Sequence, residues 1–227
     1  AIMFIGIFLG AGAGGFRLIE TALPRPARIV ATWLIAFGFA AGGWSFFLHG
    51  LTLLGLPLTA VFRPEPWVAG TFSTYGATVI VLFSALMLGY IAVQAPPPGT
   101  AALAGGLMLF AIGFAATLSG HASTADPQWL MRAAIFTHVA SITWWVGSLL
   151  PLSLTLRQES GRSATPLIRF SRWIPFAVVP LVASGVTLAI VQLGWPGDPW
   201  LTPYGYILAG KLVLLAILFA AASYNRW

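Results

Sequence analysis

The sequence predicts an all-α bundle of membrane-spanning helices, with residues 1–227 forming one integral-membrane domain. Hydrophobic residues make up 59% of the 227 and charged residues only 7%, with a mean hydropathy of +0.90. A soluble domain carries about a quarter charged residues, so this chain cannot cover a surface facing water and belongs in a lipid bilayer. Apolar runs of about 20 residues, the length that crosses a bilayer, recur seven times along the chain. Nothing alternates with period two as a barrel strand would.

The runs follow in order. The first covers about Ile2–Ile19 and the second about Ile29–Leu56. The third is Phe72–Gln94, the fourth Thr100–Gly120 and the fifth Trp129–Leu156. The sixth is Phe170–Leu193 and the seventh Tyr204–Tyr224. Proline, glycine and charge punctuate the gaps, as in Leu23-Pro24-Arg25-Pro26, Arg63-Pro64-Glu65-Pro66, Pro96-Pro97-Pro98-Gly99 and Trp195-Pro196-Gly197-Asp198-Pro199. No gap is long enough for a soluble domain. Gly6, Gly10 and Gly14 in the first run, and Gly38 with Gly42 in the second, are spaced four apart. Small residues at that spacing let helices approach closely, here inside the bundle rather than at a dimer face. Pro175 and Pro180 are expected to kink the sixth run.

Arginine placement orients the bundle. Arg17, Arg25 and Arg28 flank the first connection; Arg157, Arg162, Arg169 and Arg172 hold the fifth; Arg226 follows the seventh run. Alternating spans put these eight on one side and only Arg63 and Arg132 on the other. The arginine-rich side is cytoplasmic by the positive-inside rule. That rule, rather than nucleic-acid binding, accounts for the net charge of +6. Trp67, Trp129, Trp195 and Trp200 then gather at the outer interface as an aromatic belt. The chain opens with Ala1 directly in an apolar run and ends at Asn225-Arg226-Trp227, so the natural protein is expected to extend past both ends.

Few residues can carry chemistry. There is no cysteine, hence no thiolate metal site. No Ser/His/Asp set, phosphate loop or intramembrane carboxylate pair supports enzymatic chemistry, and Glu20, Glu65 and Glu159 lie beside arginines as surface charges. What remains is three histidines. His49 lies late in the second run, His121 at the end of the fourth, and His138 about 13 Å into the fifth at helical rise. All three fall in the outer half. An ionisable residue inside a membrane is by default a functional candidate. Met131 precedes His138 by two turns on the same face, and Met3 starts at the outer edge. Imidazole with thioether suits copper, which makes His121, His138, His49 and Met131 the candidate metal ligands. Each has a plain alternative: a buried imidazole bonded to a carbonyl or hydroxyl, a solvated cap residue for His121, and core packing for Met131. Lys211, the sole lysine, is the candidate charge beside the site, turned inward rather than snorkelling. The competing cofactor is haem b, held axially by histidines on neighbouring helices.

The stretch His138-Val-Ala-Ser-Ile-Thr-Trp144-Trp145-Val-Gly147-Ser-Leu-Leu-Pro151 resembles the fifth-helix signature of the CopD family, bacterial inner-membrane proteins of copper uptake and resistance. The likeness continues through Arg169-Phe170-Ser171-Arg172, Ser184-Gly185, Thr202-Pro203-Tyr204-Gly205 leading to Lys211, and Asn225-Arg226. Leu118-Ser119-Gly120-His121-Ala122 resembles the family's Gly-His-Ala end of the fourth helix. Upstream the likeness rests on helix spacing, so His49 is carried over weakly. The resemblance implies passage of copper from periplasm toward cytoplasm, an eighth helix in the native protein, and a periplasmic CopC-type copper-binding domain as partner.

Overall fold

The computed structural model describes residues 2–120, 125–158, 165–195, 197 and 201–224. The described residues are overwhelmingly helical, without strands. The first helix, α1, spans residues 2–18 and changes pitch along its length. Ile2–Ile5 is α-helical, Gly6–Ala11 is π-helical, Gly12–Gly15 is α-helical and Phe16–Leu18 closes as a 3₁₀ turn. There follow α2 (Arg25–Leu54), a 3₁₀ turn (Leu58–Phe62) and the short α3 (Glu65–Thr71). Then come α4 (Thr74–Gln94), α5 (Pro98–Leu118), α6 (Gln128–Gln158), α7 (Thr165–Leu193) and α8 (Pro203–Tyr224). A helix stands at each of the seven expected positions. Five of them (α2, α4, α5, α6 and α7) are long and apolar enough to cross a bilayer, and α1 is a shorter apolar helix.

Two boundaries differ from the sequence reading. The chain before α4 coils into α3 where only a proline-rich gap was expected. Here Pro66 sits at the start of the helix, where its missing N–H costs nothing. The fifth connection is also shorter than its charges suggested. Arg157 lies in the last turn of α6, and Arg169 and Arg172 lie in the first turns of α7. Long arginine stems let a helix end continue while the guanidinium reaches the interface. α7 runs unbroken through Pro175 and Pro180, and α6 through Pro151.

The core is organised around α1. Residues 6–7 and 10–17 are buried, with α2, α4, α5 and α6 packed around them. In lipid no hydrophobic force draws helices together, so close backbone packing must do so. Glycine permits it here. A Cβ placed on Gly12 would lie 2.7 Å from Thr143 O; one on Gly147 would lie 2.5 Å from Gly12 Cα and 2.6 Å from Phe8 O. The expected glycine packing inside the bundle is what the structure has: Gly6 meets Gly38, and Gly42 makes room for Phe83 and Met3. Trp144 locks the same seam, donating from Nε1 to Gly15 O at 2.9 Å while its ring packs on Phe170. This accounts for a tryptophan and a glycine three residues apart in α6.

The two ends of the bundle differ in charge. At one end Arg17, only 6% exposed, donates from Nη1 to Ala95 O and from Nη2 to Thr21 O. Nearby, Arg169 pairs with Glu20 at 2.9 Å. These contacts tie together the ends of α1 and α4 and the start of α7. At the opposite end Thr78 donates to Ser119 Oγ, joining the start of α4 to the end of α5. Trp67, Trp129 and Trp195 are exposed there.

Candidate functional site

His138 is set by two helices. α6 carries it, and α7 supplies its partners. Its Nδ1 lies 3.2 Å from Leu181 O and 3.3 Å from Ser184 Oγ. A carbonyl oxygen can only accept, so in the neutral ring the proton sits on Nδ1. The Ser184 hydroxyl spends its own hydrogen on Leu181 O at 3.0 Å, so its oxygen also faces Nδ1 as an acceptor. Both contacts fix the same tautomer, and Nε2 keeps the lone pair. Metal-bound histidines are commonly held in this way, one nitrogen donating to a carbonyl and the other free to ligate. The ring fits because residue 185 is glycine: a Cβ there would lie 3.2 Å from His138 Cε1. The plain alternative, an imidazole bonded to a carbonyl or hydroxyl, therefore describes Nδ1 and gives Nε2 no hydrogen-bond partner among the described residues.

The other candidates have different surroundings. His49 is partly buried near the end of α2, with its ring 4.6 Å from that of Tyr75 on α4. The Tyr75 hydroxyl is in turn 2.6 Å from Ser45 Oγ. His49 and His138 share the end of the bundle that carries Arg63, but their neighbours are on different helices. His121 lies outside the described residues, as do Asp198 and Trp200. Met131 is fully buried; the helical rise puts it about 10 Å along α6 from His138. Among the described residues no three His, Cys, Asp or Glu side chains gather into a metal-binding group. Lys211 is exposed on α8, a correction to the inward orientation expected for it. Most of the described apolar side chains of α8 are exposed as well, among them Ile207, Leu212 and Ile217, so the helix flanks the bundle.

Residue-by-residue reading overlooked Leu181, Ser184 and Gly185 as determinants of the histidine. The only signal for them was the Ser184-Gly185 pair within the family likeness. On the ligand reading of His138, Ser184→Ala, which removes one acceptor from Nδ1–H, should weaken metal affinity about 10- to 100-fold. The fold should persist, because one hydrogen bond is worth about 1 kcal/mol. Copper titration of the purified variant alongside a melting curve checks this; unchanged affinity removes Ser184 from the site.

Below His138, a cavity of about 450 Å³ opens among α1, α5, α6 and α7. Ala140, Ser141 and Trp144 line it from α6, and Trp173 and Phe176 from α7. It is apolar and begins within one turn of the histidine.

Residues 164–227 match the family described as Copper resistance protein D, CopD. The inner membrane protein YebZ of Escherichia coli (strain K12) is 30% identical over 186 residues, covering 77% of this chain and 62% of that protein. The chain thus spans less than two thirds of that relative's length. No solved structure matches it. The family match covers α7 and α8, the helices that supply the partners of His138 and carry Lys211. With the motif order along α6 to α8 and the likeness to YebZ, it makes the chain similar to the CopD family, most clearly over its last two helices.

Proposed function

We propose that this chain is a multi-pass inner-membrane protein that binds copper near the periplasmic face and passes it toward the cytoplasm. It acts as a carrier rather than an enzyme. The observation that carries the reading is the tautomer of His138: with Nδ1–H held by Leu181 and Ser184, Nε2 is presented as a ligand in a chain similar to a copper-resistance family. His49, at the same end of the bundle, and His121, outside the described residues, are the further candidate donors, with Met131 behind His138 on α6. Inward of the histidine, α6 offers the hydroxyls of Ser141, Thr143 and Ser148, with Ser148 Oγ buried and unpartnered among the described residues. Met87, toward the inner end of α4, is 51% exposed.

A second reading, haem b, has one observation in its favour: the aromatic-walled apolar cavity lined by Ala140, Ser141 and Trp144 on α6, inward of His138 along that helix. Absorbance of the purified protein separates the two. Stoichiometric copper without a Soret band supports the copper carrier; a Soret band without copper supports the haem protein.

Orientation is testable because the chain has no native cysteine. Gly99→Cys, exposed at the start of α5, and Phe62→Cys, 96% exposed in the opposite connection, give two single-thiol reporters. The positive-inside reading expects an impermeant thiol reagent to label intact cells at position 62 and spare position 99. The reverse pattern would place the histidines toward the cytoplasm and reverse the direction of passage.

A further inference from the structure

We infer that the arginine-rich end of the bundle holds a built site for the phosphate of an anionic phospholipid, between the start of α2 and the end of α4. A cavity of about 380 Å³ there is lined by Arg25, Arg28, Ile29, Thr32, Trp33 and Gln94. Its polar wall is fixed: Gln94 donates from Nε2 to Thr32 Oγ1 at 2.7 Å, and Thr32 Oγ1 donates to Arg28 O at 2.8 Å. Among the described residues the cations have no anion of their own. Among the described residues the acid at this end, Glu20, is paired with Arg169, and no ion pair involves Arg25 or Arg28. Arg28 Nε is shut away from solvent with no hydrogen-bond partner among the described residues. Arg17 lies close enough to add its repulsion to Arg28. Clustered guanidinium groups with unused N–H donors, in a cavity, are suited to a phosphate oxyanion, which they can grip bidentately.

The shape selects a lipid over a free ion. Moving down α2 from Arg25, the wall becomes apolar and faces outward, with Ile29 48% and Trp33 72% exposed. Cation above, indole at the interface and open apolar surface below match a headgroup, a glycerol region and an acyl chain in order. Inorganic phosphate would engage the same arginines but leave Trp33 and Ile29 without a ligand. None of this depends on the metal-site reading, since the pocket is at the opposite end of the bundle from His138.

The test uses the full chain purified in a neutral detergent and delipidated. Its melting temperature is measured with added phosphatidylglycerol, phosphatidylcholine or inorganic phosphate. Phosphatidylglycerol at a hundredfold excess over its Kd should raise the melting temperature by roughly 5 °C, while the other two leave it unchanged. Arg25→Gln, at an exposed position that does not threaten folding, should remove at least half of that rise, and R25Q/R28Q nearly all of it. Arg25→Lys should restore part, and Arg63→Gln at the other end should keep the full rise. An equal rise with inorganic phosphate overturns the lipid assignment in favour of a free anion. No rise in the parent, or a full rise in Arg25→Gln, overturns the site.

Discussion

Gly147→Val should leave little folded protein. The seam between α1 and α6 is a backbone-to-backbone contact: any Cβ on residue 147 meets Gly12 Cα and Phe8 O inside van der Waals distance. These neighbours are main-chain atoms in the buried centre, so no side chain can swing aside. Valine adds two methyls to that clash and must prise α6 off α1, breaking the Trp144 Nε1 bond to Gly15 O. Overpacking costs about 1–3 kcal/mol where side chains can adjust, and a clash with fixed backbone belongs at or above the upper end. Against a total stability of about 5–15 kcal/mol, that is enough to lose most of the monodisperse protein on extraction. Gly43→Ala is the control. Nothing lies within 4 Å of its would-be Cβ, and alanine is the better helix former by about 1 kcal/mol. Size-exclusion recovery and a melting curve for both variants decide the matter. A stable Gly147→Val would show that the α1–α6 seam is not what holds the bundle together.

The spans were legible because a bilayer imposes a length, and Pro, Gly and Arg mark where each span stops. Which helix sits at the centre was not legible. When lipid and protein interior are equally apolar, hydropathy cannot tell a buried face from a lipid-facing one. Thus α1 reads like its neighbours although residues 10–17 are all buried, and its glycines were the one clue. The switch to π pitch over Gly6–Ala11 left no mark that sequence reasoning used. The site was legible only in part. A histidine two turns inside a span announces itself by cost. Its partners are more than forty residues away on α7, and no local pattern couples positions that distant. Lys211 shows the same limit in reverse: depth can be counted along a helix, but facing depends on packing.

Copper in the purified protein should depend on His138. The bundle should survive its removal, because Ser184 continues to donate to Leu181 O when the ring is gone. No carbonyl is thereby orphaned, and the loss is one to two hydrogen bonds of about 1 kcal/mol each plus a partly buried ring. On the copper reading, losing Nε2 is far more damaging to binding, since few other donors are at hand to replace it. The most direct measurement is the copper content of parent and His138→Ala, loaded identically and read beside their melting curves and absorbance spectra. The parent should hold stoichiometric copper, and the variant should hold none while melting within a few degrees of it. Unchanged copper with a markedly lowered melting temperature would make His138 a structural residue and contradict the account. A Soret band present in the parent and lost in the variant would assign the histidine to haem.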